Sequence, residues 1–239
     1  AWGLVVARIG GLCATAPLTA LPGVDGRIRA LLALMLGVVL TPLIGPKLGD
    51  VSSMDARFVW LALTELLVGG LLGLSASLIV AGARQAGEIV SVQTGLSTAS
   101  LFDPETGEEL SAVGHLYGLI ALMVFLAMGG PLALLSALIE SYQAIPPGGF
   151  SFSEASVTRV FARVGDALAL SLQAAAPVAL AMTVAGVVMS WIGRLSPSVP
   201  LLALSLPVRS VVGILLVFLS LTTLAATFAR AWSVWPWGF

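Results

Sequence analysis

The chain has 239 residues, 58% of them hydrophobic and only 10% charged, with a mean hydropathy of +1.05 and a formal net charge of −1. A soluble domain carries charge on about a quarter of its residues, so water is not the main solvent here. The near-zero charge leaves no electrostatic footprint for nucleic acid, and a lone Cys13 excludes an internal disulfide framework or a cysteine metal site.

Six hydrophobic blocks follow one another at 2–21, 28–45, 58–83, 112–139, 167–192 and 200–229. Each reaches or approaches the roughly 20 apolar residues that cross a hydrocarbon layer of about 30 Å. The pattern predicts an all-α, polytopic membrane protein of about six hydrophobic helices, some of them broken. The first block carries Arg8 inside its apolar run and lacks a convincing small-residue cleavage site, which favours a retained helix. Pro22-Gly23, Gly45-Pro46, Pro146-Pro147-Gly148-Gly149 and Ser196-Pro197 punctuate the breaks.

The third break, 84–111, differs: it is long, only mildly polar up to Ser100 and rich in small residues. Gly69, Gly73 and Ser77 recur at every fourth position, and Gly87, Ser91 and Gly95 do so again after a shift of register. On a helix this spacing lines one face with small side chains and lets a second helix approach closely. A helix is therefore expected to run past the apolar block toward Ala99, packed on protein.

Cytoplasmic loops of membrane proteins are enriched in Lys and Arg, yet here the count ties. Arg27, Arg29, Arg84 and Arg194 fall on one side of a serpentine topology, and Lys47, Arg57, Arg159 and Arg163 on the other. The last two blocks form a helical hairpin around Arg194 to Pro197. The closing AWSVWPWGF supplies Trp232, Trp235, Trp237 and Phe239, rings suited to a membrane interface.

Enzymatic chemistry needs a nucleophile with a base, supported carboxylates or metal ligands at workable spacing. The sole histidine, His115, has no such company, and no Walker A or dinucleotide fingerprint occurs. No catalytic residue, metal site or cofactor is predicted. Glu65 and Glu140 lie in or beside apolar runs, where an unpaired carboxylate costs about 2.5–3.5 kcal/mol on insertion scales. Both are expected as buried structural groups paired with an arginine such as Arg8 or Arg209. A proton or ion relay is the alternative role for them.

Four of the 12 acidic residues, Asp103, Glu105, Glu108 and Glu109, crowd into one short stretch. Asp103-Pro104 and Thr106-Gly107 are turn signals, since Pro presets φ and Gly tolerates positive φ. A tight loop from Leu101 to Leu110 follows, its carboxylates facing bulk water or a hydrated passage.

The stretch QAGEIVSVQTGLSTASLFDPETG, followed by LIALMVFLAMGGPLALLSALIESYQAIPPGG, resembles the FliR/SctT family of type III export-gate subunits. The likeness rests on Gly95, Leu96, Phe102, Asp103, Pro104, Phe125, Leu126, Gly129, Leu134, Leu135, Glu140, Ser141, Pro147 and Gly148, and extends over nearly the whole chain. Gly129-Gly130-Pro131 departs from the Gly-His of many flagellar members and leans toward the virulence branch; Phe102-Asp103-Pro104 leans toward the flagellar one, which is favoured.

The resemblance implies a non-catalytic subunit of a bacterial inner-membrane export gate, assembled with FliP-like and FliQ-like membrane subunits and other export-apparatus proteins to pass unfolded substrates. It implies a FliP-like part over 1–150, including the central loop, and a FliQ-like hairpin with the aromatic terminus over 151–239. It also implies that the central loop plugs the passage, with Phe102 and Leu110 sealing and Asp103, Pro104, Glu105, Thr106, Gly107, Glu108 and Glu109 forming a hydrated tip. A virulence export-gate subunit, or a stand-alone secondary transporter, is the alternative.

Overall fold

A computed structural model describes residues 2–19, 25–44, 56–97, 111–149, 154–195 and 201–234. The acidic loop with its proposed plug residues 102–110, and Trp235, Trp237 and Phe239, lie outside the described residues. Among the described residues there are seven helices and no strand: α1 (Trp2–Thr15), α2 (Gly26–Ile44), α3 (Ala56–Thr94), α4 (Ala112–Ala127), α5 (Gly130–Ala144), α6 (Glu154–Leu195) and α7 (Leu201–Val234).

The helix ends follow local chemistry. The third apolar block and the small-residue run after it form one 39-residue helix, α3. It stops at Thr94, short of Ala99, because Gly95 takes φ 79°, a left-handed conformation open to glycine at little steric cost. The fourth block is broken between α4 and α5, where Gly129 takes φ 74° and Pro131 sits in the first turn of α5. A proline there removes an N–H that has no helical partner in any case. The fifth block begins earlier than its apolar core, so α6 is 42 residues long and carries Pro177 in its interior.

Among the described residues, three helices are long and apolar enough to cross a membrane: α3 from Phe58, α6 from Val157 and α7 from Pro207; the broken pair α4 and α5 makes a fourth if taken as one span. The chain is an all-α membrane protein. At 1.5 Å per residue α3, α6 and α7 measure about 58, 63 and 51 Å, well beyond a hydrocarbon layer of roughly 30 Å. In contrast α1, with 14 residues, reaches only about 21 Å and is too short to span.

Two compact units interleave along the chain. The first comprises Ala1–Leu78, Phe125–Val164 and Val234–Phe239, and the second Ile79–Val124 and Gly165–Ser233. In the first, Val5, Ile9, Leu12 and Cys13 of α1 pack with Ala33 and Leu40 of α2, Leu72 of α3, and Leu138 and Tyr142 of α5. Backbone meets backbone where α1 crosses α3. A Cβ on Gly69 would strike the Arg8 carbonyl, one on Gly73 would lie 2.7 Å from the Leu12 carbonyl, and one on Gly11 would strike that of Leu66. Thr15 joins the same seam, its hydroxyl donating to the Gly70 carbonyl at 2.8 Å. Ser77, next in the fourfold repeat, is half-buried and donates back to Leu74 of its own helix at 2.9 Å.

In the second unit α3 continues the device with other partners. A Cβ on Gly82 would lie 2.7 Å from the Ala167 carbonyl of α6, and one on Gly87 would lie 2.6 Å from Gly114 of α4. Ser91 is fully buried, whereas Gly95 serves as the helix terminator described above. Trp232 is also buried, not at an interface as expected, because its indole N–H donates to the Ala121 carbonyl at 3.2 Å. α6 and α7 lie side by side around a shallow groove lined by Pro177, Val178, Leu216, Leu219, Ser220 and Thr223.

The glycine seam gives a direct test by thermal unfolding in mild detergent. Gly69→Ala should destabilise by about 2 kcal/mol or more, since overpacking a close contact forces the backbone apart. Gly10→Ala, where a Cβ meets nothing within 4 Å, should be neutral or stabilising by about 0.5–1 kcal/mol.

Candidate functional site

An arginine on a short apolar helix has no route to water, and Arg8 is fully buried. Its cost is offset by a hydrogen bond from each of its three nitrogens. Nε–H donates to Glu65 Oε2 of α3 at 2.6 Å, with the two side chains 0% and 1% exposed. One terminal nitrogen donates to Ser141 Oγ at 3.0 Å and the other to the Ile145 carbonyl at 3.0 Å. The guanidinium carbon lies 4.0 Å from the centroid of the Tyr142 ring, in cation–π geometry.

The carboxylate completes the arrangement from the other side. Glu65 Oε1 accepts the Gly148 N–H at 3.2 Å, an amide presented by a left-handed turn at φ 77°. Ile145 is the C-cap of α5, so the cation takes a terminal carbonyl of that helix while the anion takes an amide from the turn beyond it. Such carbonyls lack helical partners. The ion pair thereby joins α1, α3 and the end of α5, and its chemistry is to hold these elements together.

The second unit contains the two ends of the acidic stretch. Before it, Thr94 is buried and its carbonyl accepts from Ser210 Oγ of α7 at 3.4 Å. After it, Ser111 caps α4, its Oγ accepting the Gly114 N–H at 3.0 Å. Glu88 of α3 reaches across, one carboxylate oxygen accepting both the Ser111 N–H at 2.7 Å and its O–H at 3.0 Å. The described residues on either side of 98–110 are thus tied to one another and to neighbouring helices by contacts among α3, α4 and α7.

Of the residues singled out in the sequence, Glu65 is buried and meets Arg8, while Arg209 lies elsewhere, half-buried and nearest Gly186 among the glycines. Glu140 is exposed, contrary to expectation. The buried face of α5 is set by Gly130, Leu134, Ala137, Leu138, Ser141 and Tyr142, and Glu140 falls off that helical stripe. His115 is exposed on α4.

Sequence reasoning passed over the roles of Ser141, Tyr142, Gly148 and Glu88. Glu88 carried a usable signal, a carboxylate on a helix expected to pack on protein, and Ser111 just before an apolar run is a capping signature. The Arg8 partners on α5 share no local pattern with it.

These features define a helical membrane protein, with a buried ion pair in one unit and a Glu88–Ser111 clamp in the other. The family model of bacterial export proteins, family 1, matches residues 1–234, and the chain belongs to that family. It is 28% identical over 211 residues to the flagellar biosynthetic protein FliR of Pectobacterium carotovorum subsp. carotovorum, covering 87% of this chain and 79% of that protein. It is also 28% identical over 214 residues to FliR of Escherichia coli K12, covering 89% and 80%. The Yop proteins translocation protein T of Yersinia pestis is 32% identical over 154 residues, covering 64% of this chain and 59% of that protein.

Removing one member of the buried pair strands the other. Arg8→Met or Glu65→Gln should each cost about 3–5 kcal/mol in unfolding experiments, and Arg8→Met with Glu65→Leu should recover most of it. Exchanging the charges, Arg8→Glu with Glu65→Arg, should not recover it, because a carboxylate would then face the Ile145 carbonyl and the Tyr142 ring.

Proposed function

We propose that the chain is a non-catalytic membrane subunit of the type III protein export gate of a bacterial flagellum, residing in the inner membrane. The observation that carries this reading is the reach of the similarity: FliR proteins align over 87% and 89% of the chain, translocation protein T over 64%. The injectisome gate is the second reading, favoured by the higher identity, 32%, within that shorter alignment.

In this reading the subunit assembles with FliP-like and FliQ-like membrane proteins to pass unfolded substrates. Residues 1–150 act as the FliP-like part and 151–239 as the FliQ-like hairpin. The need for partners has physical support. Only 17% of the apolar window of α6 and 22% of that of α7 is buried within the chain, against 50% for α3. Helices about 51–63 Å long carry more apolar surface than a hydrocarbon layer of roughly 30 Å covers.

The acidic loop is the plug of the passage, with Phe102 and Leu110 sealing and the carboxylates keeping its tip hydrated. The Glu88–Ser111 clamp supports this role, because a loop that blocks a passage has to be anchored at its base.

Tagged chain expressed from its native operon should co-purify in a large complex with two further small hydrophobic proteins, identified by mass spectrometry. A stable particle of this chain alone would point instead to a stand-alone transporter. In assembled gates, deletion of 103–109 should raise ion leakage across the membrane; unchanged leakage and secretion would remove the plug from the model.

A further inference from the structure

Two side chains of opposite charge, Arg84 and Glu88, lie one turn apart on α3, and α4 offers a glycine to each. A Cβ on Gly114 would strike Glu88 Oε1, and one on Gly118 would lie 2.8 Å from Arg84 Cγ and 3.0 Å from its Nε. Both side chains therefore rest directly on the α4 backbone, in seats that any larger residue would fill. All four residues belong to the second unit.

The two seats are used unequally. Glu88 Oε1 accepts the Ser111 N–H at 2.7 Å and its O–H at 3.0 Å, while Oε2 makes no hydrogen bond among the described residues. Arg84 is half-buried and makes neither a hydrogen bond nor an ion pair among them. A partly desolvated guanidinium without an acceptor is costly, and side chains four residues apart on a helix are within pairing reach. A free cation thus stands one turn from a carboxylate that is committed elsewhere.

We infer that Glu88 is a two-position residue, which either clamps Ser111 at the start of α4 or turns back along α3 to pair with Arg84. The clamp is the major position, because two hydrogen bonds to a carboxylate outweigh one half-exposed ion pair. Arg84 lowers the cost of leaving it, since the released carboxylate meets a cation instead of an apolar helix surface. The first turn of α4 is thereby held reversibly. This inference needs no role in export, so it stands or falls separately from the proposed function.

Amide hydrogen exchange of the full chain, purified in mild detergent with the proteins that accompany it and read at single residues, tests this. The Ser111 N–H loses its acceptor when Glu88 turns away, whereas the Gly114 N–H keeps Ser111 Oγ in both positions. Arg84→Gln removes the competing cation, so exchange at Ser111 should slow about twofold, the factor that one i,i+4 ion pair supplies, with Gly114 unchanged. Arg84→Lys keeps a cation and should leave both amides at the wild-type rate. Raising salt screens the pair, so it should slow Ser111 exchange in the wild-type chain and have no effect in Arg84→Gln.

Equal slowing at Ser111 and Gly114 in Arg84→Gln would report only the lost positive charge beside exchanging amides. Faster exchange at both would mean that Arg84 merely fills space over Gly118, and an unchanged rate at Ser111, or the same salt response in both proteins, that Glu88 does not leave its clamp for Arg84. Each of these results overturns the inference.

Discussion

A guanidinium with 0% exposure is cut off from bulk water, so its hydrogen bonds have to come from protein, and the first unit is arranged around that requirement. The bonds of Arg8 to Glu65, Ser141 and Ile145 dictate where α3 and α5 stand relative to α1. This matters most for α1, which at about 21 Å is too short to be held by a bilayer. The polar contact fixes direction where the surrounding apolar core of Val5, Ile9, Leu12 and Leu138 cannot, because burial of hydrocarbon is non-directional.

That contact is reachable only because the backbones come close. Gly69 and Gly73 let α3 lie directly on α1, carbonyl against Cα, which places Glu65 one turn away within reach of Arg8. The same helix passes into the second unit at Ile79 and there uses Gly82 and Gly87 against α6 and α4. Seven residues beyond Gly87 the helix ends at Thr94, and Glu88 ties the start of α4 back to it. A single long helix thus carries small residues for packing and two carboxylates for polar anchoring, one in each unit.

The fold class was legible in hydropathy alone, since runs of apolar residues this long have few other solutions. Within the small-residue repeat, Gly69, Gly73 and Gly87 lie close against the backbone of other helices, and Ser91 is buried; absence of a Cβ is a local property that sequence displays directly. Gly95, in the same repeat, ends the helix with a positive φ. Glu140 shows another limit: position inside an apolar block does not tell which side of the helix a residue takes, and here neighbouring Ser141 is buried while Glu140 is exposed. The anchoring partners were the least legible part. Arg8 and Ile145 are separated by 137 residues, and nothing in the local sequence of either announces the other.

Helix ends also explain why the distribution of cations carried no orientation. The tie between the two sides counted Arg84, Arg159 and Arg163 as loop residues. Arg84 lies within α3, ten residues before its end, and the other two lie within α6, which begins at Glu154. The positive-inside rule counts charges in loops close to the ends of spans, so a helix that continues far past the hydrocarbon carries its cations out of the region the rule describes. Charge placement is silent on α3 and α6 because, at about 58 and 63 Å, they outrun a hydrocarbon layer of roughly 30 Å.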